Sequence, residues 1–341
     1  MTDAGGVRRK SNRRIVLDAR PIGVPEPRHF RRDDRPIEEP AVGQFRVRNC
    51  LLSIDPAQRG WVNAAANYSE VVQLGDVMRS LALGIVDASR DPTYRVGEYL
   101  YGWFGWQDFC IADARNVLRR VDPGEAPLTA AAGVLGIAGL AAYIALTEIG
   151  APKPGETVVV STAAGAVGSV AGQVARNLGC RVVGITGSSE KVAECQADYG
   201  YHAALSYRHG FHTEALGAVC PSGIDVFFDN TSGPIADVVW PLMNARGRIV
   251  QCGTVAEPIW EPVPSGPRRD RLILTKRLRH EGFVIFDYVR EFPRVASKLA
   301  GWIREGALRH REDVEKGLDR APHALAALYR GDNHGKKLVE P

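Results

Sequence analysis

The sequence predicts an α/β protein in which a doubly wound parallel sheet is inserted into a smaller domain of short antiparallel strands. Three observations carry this prediction: a turn-rich opening, a regular alternation of strand-like and helix-like segments through the middle, and a strand-like run at the end. The chain has 341 residues, of which 45% are hydrophobic and 24% are charged. That length accommodates two domains, and the composition is ordinary for a globular protein.

The first third of the chain contains short β-like runs punctuated by Gly and Pro, between about Arg14 and Val121. Short runs separated by turns are typical of small antiparallel barrels. We expect strands at residues 15–17, 44–52, 81–87, 98–103 and 107–110.

The middle of the chain alternates strand-like and helix-like segments, which indicates βαβ crossovers and hence a doubly wound sheet. Its clearest unit is the β-branched strand Thr157–Ser161, followed by helical spacing and a second apolar run. The predicted elements are a helix at 166–178, a strand at 181–185, a helix at 188–200, a strand at 203–207, buried parallel strands at 224–228, 248–252 and 282–286, an amphipathic helix at 291–305 and a terminal strand at 337–340.

The change from short strands and turns to alternating strands and helices predicts the domain boundaries. We expect residues 129–302 to form the domain of the parallel sheet. Residues 1–128 and 303–341 together form the smaller domain, because the terminal strand can return to it.

A glycine pattern follows the first strand of the parallel sheet: Ala163-x-Gly165-x-x-Gly168 precedes a helix. Gly165 lets backbone N–H groups approach a pyrophosphate, Gly168 lets the helix pack against the strand, and the helix N-terminus adds partial positive charge. Many turns contain such glycines, but the strand before and the helix after predict a Rossmann dinucleotide site. Its residues are Ala164, Gly165, Ala166, Val167 and Gly168.

The end of the second strand selects the coenzyme. An NAD site would place Asp or Glu there, about 20 residues past the glycines. This chain has Gly187, Ser188 and Lys191 instead, with Glu190 early in the following helix. Space, hydroxyls and a positive charge suit a 2′-phosphate, which favours NADPH/NADP. The alternative is that Ser188 only caps the helix and Lys191 is solvated.

Charge and cysteine patterns exclude other classes. The net charge of +4 is spread along the chain, apart from a basic cluster at 268–279 that is typical of a solvated face. The six cysteines contain no Cys-x-x-Cys pair, which disfavours a disulfide framework or compact zinc site. No signal sequence and no run of about 18 apolar residues is found. We expect a cytoplasmic protein that binds neither nucleic acid nor membrane.

Nine stretches along nearly the whole chain resemble the medium-chain dehydrogenase/reductase superfamily, in its branch of prostaglandin reductases, alkenal/one oxidoreductases and curcumin reductases. They are residues 12–17, 52–60, 72–78, 163–169, 187–192, 228–230, 247–253, 281–284 and 331–336. The resemblance implies a GroES-like β-barrel carrying an inserted Rossmann domain, and a homodimer. It also implies coenzyme contacts from Lys191, Tyr207, Asn230, Cys252, Gly253, Thr254, Phe283, Val284, Ile285 and Asn333.

Zinc-dependent members of the superfamily surround a catalytic metal with Cys, His and Glu. Here the stretch at Gly75 has no His and Cys50 stands alone, so we expect no metal. The implied activity is then NADPH-dependent reduction of the C=C bond of α,β-unsaturated ketones or aldehydes, with hydride delivered to the β-carbon. The resulting enolate needs only a hydrogen-bond donor and a proton.

The chain departs from the family at two substrate-side positions that usually carry Tyr. Pro258 follows the turn at Cys252, and Ala57 lies in the segment 55–59. Tyr68 and Tyr288 are the replacement donors that the sequence offers, although either can equally be a packing or surface tyrosine.

Three rival hypotheses remain. A quinone reductase of the same fold would use the same coenzyme site. A non-catalytic NADPH-binding protein would explain the two missing aromatic residues. A nucleic-acid-binding protein acting through the cluster at 268–279 is the least favoured.

Overall fold

The computed structural model describes residues 11–64, 68–259 and 262–341. Their strands are β1 Asn12–Leu17, β2 Phe30–Arg35, β3 Phe45–Ser53, β4 Leu81–Ser89, β5 Tyr99–Trp103, β6 Phe109–Ala112, β7 Val117–Val121, β8 Thr157–Ser161, β9 Arg181–Thr186, β10 Ala203–Ser206, β11 Ile224–Asp229, β12 Met243–Gln251, β13 Arg279–Gly282, β14 Glu312–Lys316 and β15 Lys336–Glu340. Their α-helices are α1 Gln58–Trp61, α2 Leu128–Ala132, α3 Ile137–Ile144, α4 Gly168–Asn177, α5 Ser189–Ala197, α6 Thr213–Val219, α7 Gly233–Val239, α8 Asp270–Lys276, α9 Phe292–Arg304 and α10 Ala321–Arg330.

A six-stranded parallel sheet forms the middle of the chain, with strand order β10-β9-β8-β11-β12-β13. This is the strand order of a Rossmann sheet, as predicted. Its central strands β8 and β11 are buried along nearly their whole length and carry runs of Val, Ile and Phe, because both faces are covered. Val158 and Val160 pack into the core on one face, and Val159 packs into the core on the other.

The second sheet combines both ends of the chain. Its order is β14-β15-β3-β4-β5-β7, with β6 on the free half of β3. The terminal strand β15 pairs antiparallel with β3 at Leu52 and Ser53, so the chain does return to its first part. The residues at which one domain gives way to the other stay a prediction.

The barrel expected of this sheet is not closed: within the described residues its end strands, β14 and β7, are not paired with each other. The chain entering the Rossmann domain covers the β7 edge. Arg119 in β7 donates to the carbonyls of Ala131 and Leu135 at 2.7 and 2.9 Å. The sheet keeps the GroES-like arrangement in an open form.

The buried strand predicted at 282–286 is wrong. The sixth strand is β13, which ends at Gly282 and is exposed throughout as the edge of the sheet. Pairing stops when Phe283 N–H donates to the carbonyl of Gln251 at 3.1 Å, and a 3₁₀ helix, Ile285–Glu291, follows. Within the apolar run only Ile285 is buried, and Phe283, Val284 and Phe286 are partly buried. This burial comes from packing between domains, because Phe286 contacts the cores of both.

No α-helix of the described residues is both long and apolar enough to span a membrane.

Candidate coenzyme and substrate site

The glycine turn after β8 is held in a tight conformation. Thr162 adopts a left-handed φ of 51°, and Gly165 N–H donates to its carbonyl at 2.8 Å. A Cβ on Gly168 would lie 2.2 Å from the same carbonyl oxygen. Only glycine therefore lets α4 begin this close to the strand. The backbone from Ala164 to Val167 is left at the N-terminus of α4, where a pyrophosphate binds in this fold.

A loop near the C-terminus lies against this turn. Gly335 forms a parallel bridge with Gly165, and Asn333 donates to the carbonyl of Gly335 at 2.9 Å. Asn333 is thus brought near the glycine turn from the other end of the chain, and its contact with a coenzyme stays a prediction. We call residues 331–335 the C-terminal loop.

The end of β9 is open and positively charged. A Cβ on Gly187 would lie 3.0 Å from the hydroxyl of Tyr207, so a larger residue there would have to displace that hydroxyl. Ser188 accepts from the N–H of Lys191 at 3.2 Å, which makes it the cap of α5. Lys191 itself is not simply solvated, because its Nζ donates to the carbonyl of Gly331 at 2.7 Å.

Sequence reasoning missed a second cation at this end. Arg208 donates to the carbonyl of Arg330 at 2.8 Å, one residue from the carbonyl that holds Lys191. Burial lowers the pKa of Lys191; the charge of Glu194 opposes this and that of Arg208 adds to it. Two cations fixed on one turn, with no carboxylate ion pair among the described residues, suit a phosphate dianion. Arg208 directly follows Tyr207 at the end of β10, and this position is the feature of the sequence that could have identified it as a phosphate-binding residue.

The carboxyl ends of β11 and β12 meet beside the glycine turn. Asn230 donates to the carbonyl of Ser161 at 2.8 Å, and the N–H groups of Cys252 and Gly253 donate to the carbonyl of Asp229 at 2.8 and 3.1 Å. A Cβ on Gly253 would lie 2.9 Å from the carbonyl oxygen of Asn230. The two loops therefore form one packed edge.

The remaining predicted coenzyme residues border the same edge. The N–H of Phe283 is bonded to the last residue of β12, and Val284 and Ile285 follow it. Thr254 is exposed just past the turn at Cys252. Direct contacts of these side chains with a coenzyme stay a prediction.

An aromatic cluster joins the smaller domain to the Rossmann domain. Trp103 lies 5.3 Å from Trp61 and 5.1 Å from Phe286, between ring centroids. The guanidinium of Arg79 packs over Trp103 at 4.7 Å. A cavity of about 420 Å³ opens beside Arg79 and Trp103. This volume is in the range of small-molecule sites.

The two tyrosines proposed as donors have different surroundings, and the donor role of either stays a prediction. Tyr68 is 52% exposed, and burial of the remainder raises the pKa of its hydroxyl; Asp55 and Cys252 add to this, and Trp61 and Arg79 oppose it. Tyr288 instead stacks on Phe283 at 5.3 Å and forms no hydrogen bond with a described residue.

A buried ion pair underlies the same junction, and sequence reasoning did not find it. Lys336 donates to Asp55 at 2.9 Å and to the carbonyl of Ile54 at 2.6 Å, with 3% of its side chain exposed. Ser53 donates to the other oxygen of Asp55 at 2.6 Å. Lys336 follows Gly335 directly, so the pair connects the C-terminal loop to the segment that carries Ala57.

A Rossmann sheet with a glycine turn, one cation after each of β9 and β10, and a second domain packed at its carboxyl edge is typical of a dinucleotide-binding oxidoreductase. Two family models match the chain: the N-terminal domain of oxidoreductase over residues 13–119 and zinc-binding dehydrogenase over residues 166–301. Within the described part of the chain, no group of three or more His, Cys, Asp or Glu lies together as a metal site would.

Full-length relatives refine this class. The NADPH-dependent curcumin reductase of Escherichia coli is 36% identical over 339 residues, covering 98% of each chain. The NADP⁺-dependent 2-alkenal reductase of Nicotiana tabacum is 36% identical over 295 residues, or 86% of each chain. The NADPH complex of CurA from Vibrio vulnificus superposes with a TM-score of 0.90 at 36% identity, covering 96% of this chain and 98% of that one. The chain belongs to the zinc-independent branch of the medium-chain dehydrogenases/reductases that contains these reductases.

Proposed function

We propose that this protein reduces the C=C bond of α,β-unsaturated ketones and aldehydes with NADPH. The observation that carries the proposal is the coenzyme edge, where Lys191 and Arg208 are both held by the turn at 330–331 that leads into the loop against the glycine turn, as a phosphorylated dinucleotide requires. The names of the curcumin and 2-alkenal reductases support the same reaction class.

The residues present fit NADPH. Gly165 and Gly168 allow the close approach that the pyrophosphate needs, and Lys191 and Arg208 supply the charge for the 2′-phosphate. The remaining contacts proposed are those of Ala164, Ala166, Val167, Gly187, Tyr207, Asn230, Cys252, Gly253, Thr254, Phe283, Val284, Ile285 and Asn333. Ser188 contributes indirectly, because it caps α5, the helix that carries Lys191.

Bound NADPH would supply the hydride for the β-carbon of the enone. Tyr68 then takes the place of the family tyrosine missing at Pro258: its hydroxyl donates a hydrogen bond to the carbonyl oxygen, where negative charge develops as the enolate forms. The ordinary pKa of a tyrosine hydroxyl is about 10, and burial raises that of Tyr68 further, so the hydroxyl is protonated and able to donate at neutral pH. The aromatic cluster around Trp103 excludes water from the substrate side.

The test is NADPH consumption with a panel of enones, quinones and alcohols, run in parallel with NADH. We expect turnover on enones and a preference for NADPH. Turnover on quinones but not enones would replace this proposal with a quinone reductase. Tight NADPH binding with no turnover on any acceptor would make the protein a non-catalytic binder.

A homodimer and a cytoplasmic location complete the proposal. The edge strand β13 is exposed along its length, and an open strand edge can pair with a second copy of the chain.

All six cysteines are free, which suits a reducing compartment. Light scattering that gives the monomer mass at micromolar concentration would rule out the dimer, and fractionation of native cells tests the location.

A further inference from the structure

A buried carboxylate on α5 lies beside the C-terminal loop, and the coenzyme contacts described above do not use it. Glu194 is 6% exposed. Its Oε1 accepts from the hydroxyl of Tyr199 at 2.8 Å and from the guanidinium of Arg311 at 3.5 Å, and its Oε2 lies 3.3 Å from Nδ1 of His334. A buried carboxylate is costly unless such groups surround it. Glu194 thus depends on the turn after α5, the segment before β14 and the C-terminal loop.

The contact with His334 joins α5 to the C-terminal loop at a second point. Lys191 donates to the carbonyl of Gly331 at the start of the loop, and His334 lies near the end of the loop. Lys191 and Glu194 are three residues apart and so share one face of the helix. Because an ionised carboxylate only accepts, Nδ1 of His334 is the donor. The helix therefore holds the loop near both of its ends.

The loop in turn holds both cations proposed for the 2′-phosphate. The carbonyls of the turn at 330–331 accept from Lys191 and Arg208, and the far end of the loop bridges to Gly165. A loop that is ordered before a ligand arrives loses less conformational entropy when the ligand binds. A contact that orders this loop therefore favours the coenzyme that uses both cations.

The charge of Glu194 also acts on Lys191 directly. Burial lowers the pKa of Lys191, and Glu194 is the largest influence that opposes this. A carboxylate so close to a phosphate site would repel a dianion if its own charge were not offset. Arg311 and His334 donate to it and supply that offset. Glu194 can therefore support the lysine without excluding the phosphate.

We propose that Glu194 and His334 are positioning residues for the coenzyme: their contact fixes the C-terminal loop, and the loop places Lys191 and Arg208 for the 2′-phosphate of NADPH. This inference rests on the phosphate contacts proposed above and is independent of which substrate is reduced. The preference for NADPH over NADH then depends on a contact that does not itself touch the coenzyme.

The experiment is calorimetric titration of the full chain with NADPH and, separately, with NADH. His334→Leu should weaken NADPH binding by roughly 3–10-fold, up to the scale of one hydrogen bond to a charged group, and should weaken NADH binding less. His334→Asn should restore most of the NADPH affinity, because its amide Nδ2 takes the place of Nδ1. The side chain of His334 is 25% exposed, so these replacements leave the core intact.

The matched control is His212→Leu. His212 forms the same kind of pair with Glu214, at 2.9 Å, but at the exposed start of α6. Both coenzyme affinities should stay unchanged in this variant. A selective loss of NADPH affinity here as well would show that the effect does not come from the C-terminal loop.

Three further results would overturn the inference: unchanged NADPH affinity in His334→Leu, equal losses for NADPH and NADH, or an asparagine variant as weak as the leucine variant. Lys191→Met, titrated alongside, separates the inference from the phosphate site on which it rests. A loss of NADPH preference in Lys191→Met alone keeps the phosphate site and rejects the inference. A loss in His334→Leu alone rejects the contact of Lys191 with the phosphate, while the loop still sets the preference. If neither variant loses the preference, both proposals fail.

Discussion

The coenzyme side and the substrate side of the site differ in how their polar groups are held. On the coenzyme side, Lys191 and Arg208 are each fixed by a carbonyl of one turn, and glycines leave defined space around them. On the substrate side, Tyr68 is 52% exposed, and Ala57 and Pro258 stand where the resemblance implies tyrosines. Fixed groups give a set coenzyme preference, whereas loop-borne groups let the substrate change while the coenzyme stays the same.

The largest effect is expected where the two sides are joined, at the buried pair of Lys336 and Asp55. Lys336→Met should lower the free energy of unfolding by about 3–5 kcal/mol, because it leaves Asp55 without its cation. Urea denaturation measures this. Lys336→Met combined with Asp55→Asn should lose less than the single variant, since no unpaired charge then remains. A single variant as stable as the unchanged protein would show that the pair does not join the two sides.

The tyrosines test whether the substrate side has a defined donor. Tyr68→Phe should lower kcat on an enone by roughly tenfold to a thousandfold, the range for loss of one donor to the developing enolate. Tyr288→Phe is the matched control and should keep its activity, because its ring stacks on Phe283. Steady-state kinetics at saturating NADPH separates the two. Full turnover by both variants would mean that water, and not Tyr68, donates the hydrogen bond to the enolate.

The sequence predicted the coenzyme side better than the substrate side for a physical reason. The glycine turn, Lys191 and Tyr207 lie within elements whose positions follow from local strand and helix patterns. Lys336 and Asp55 lie 281 residues apart, so their pairing depends on how the chain ends meet. Arg208 is adjacent in sequence to the predicted residue Tyr207, but its hydrogen bond to the carbonyl of Arg330 depends on the fold and could not be predicted from the sequence.

The one wrong strand has the same origin. The apolar run at 282–286 has the composition of a buried strand, and Ile285 within it is indeed buried. The burial comes from packing between two domains, which a local pattern cannot distinguish from burial within a sheet. The open barrel is a similar case, because the contact of Arg119 with the incoming chain depends on the tertiary arrangement.

The coenzyme preference can be broken at either cation. Lys191→Met and Arg208→Met should each weaken NADPH binding by about 1.5–3 kcal/mol, the scale of one charge-assisted hydrogen bond, and change NADH binding little. Titration of both coenzymes against each variant measures this. The double variant should lose less than the sum, since both cations serve one phosphate. Equal losses for NADPH and NADH would place the phosphate elsewhere.

The smallest effect is expected at the opposite edge of the Rossmann sheet, where Arg248 forms two hydrogen bonds with Glu156 at 2.6 and 3.0 Å. Burial raises the pKa of Glu156, but Arg248 and the backbone N–H of Lys153 outweigh it and lower the pKa overall. The ionised carboxylate is therefore favoured in the folded protein. Its contribution is present above the unfolded-state pKa of about 4.3 and is lost as pH falls through the lower folded-state value.

Glu156→Gln should therefore cost about 1 kcal/mol of unfolding free energy at neutral pH and progressively less below about pH 4. Denaturation of both proteins across this pH range provides the measurement. NADPH affinity should not change, because the coenzyme lies at the carboxyl ends of the strands and Glu156 precedes the first of them. A pH-independent loss would assign the effect to packing. A loss of NADPH affinity would mean that the two edges of the sheet are coupled, and that the coenzyme side is less rigid than its contacts indicate.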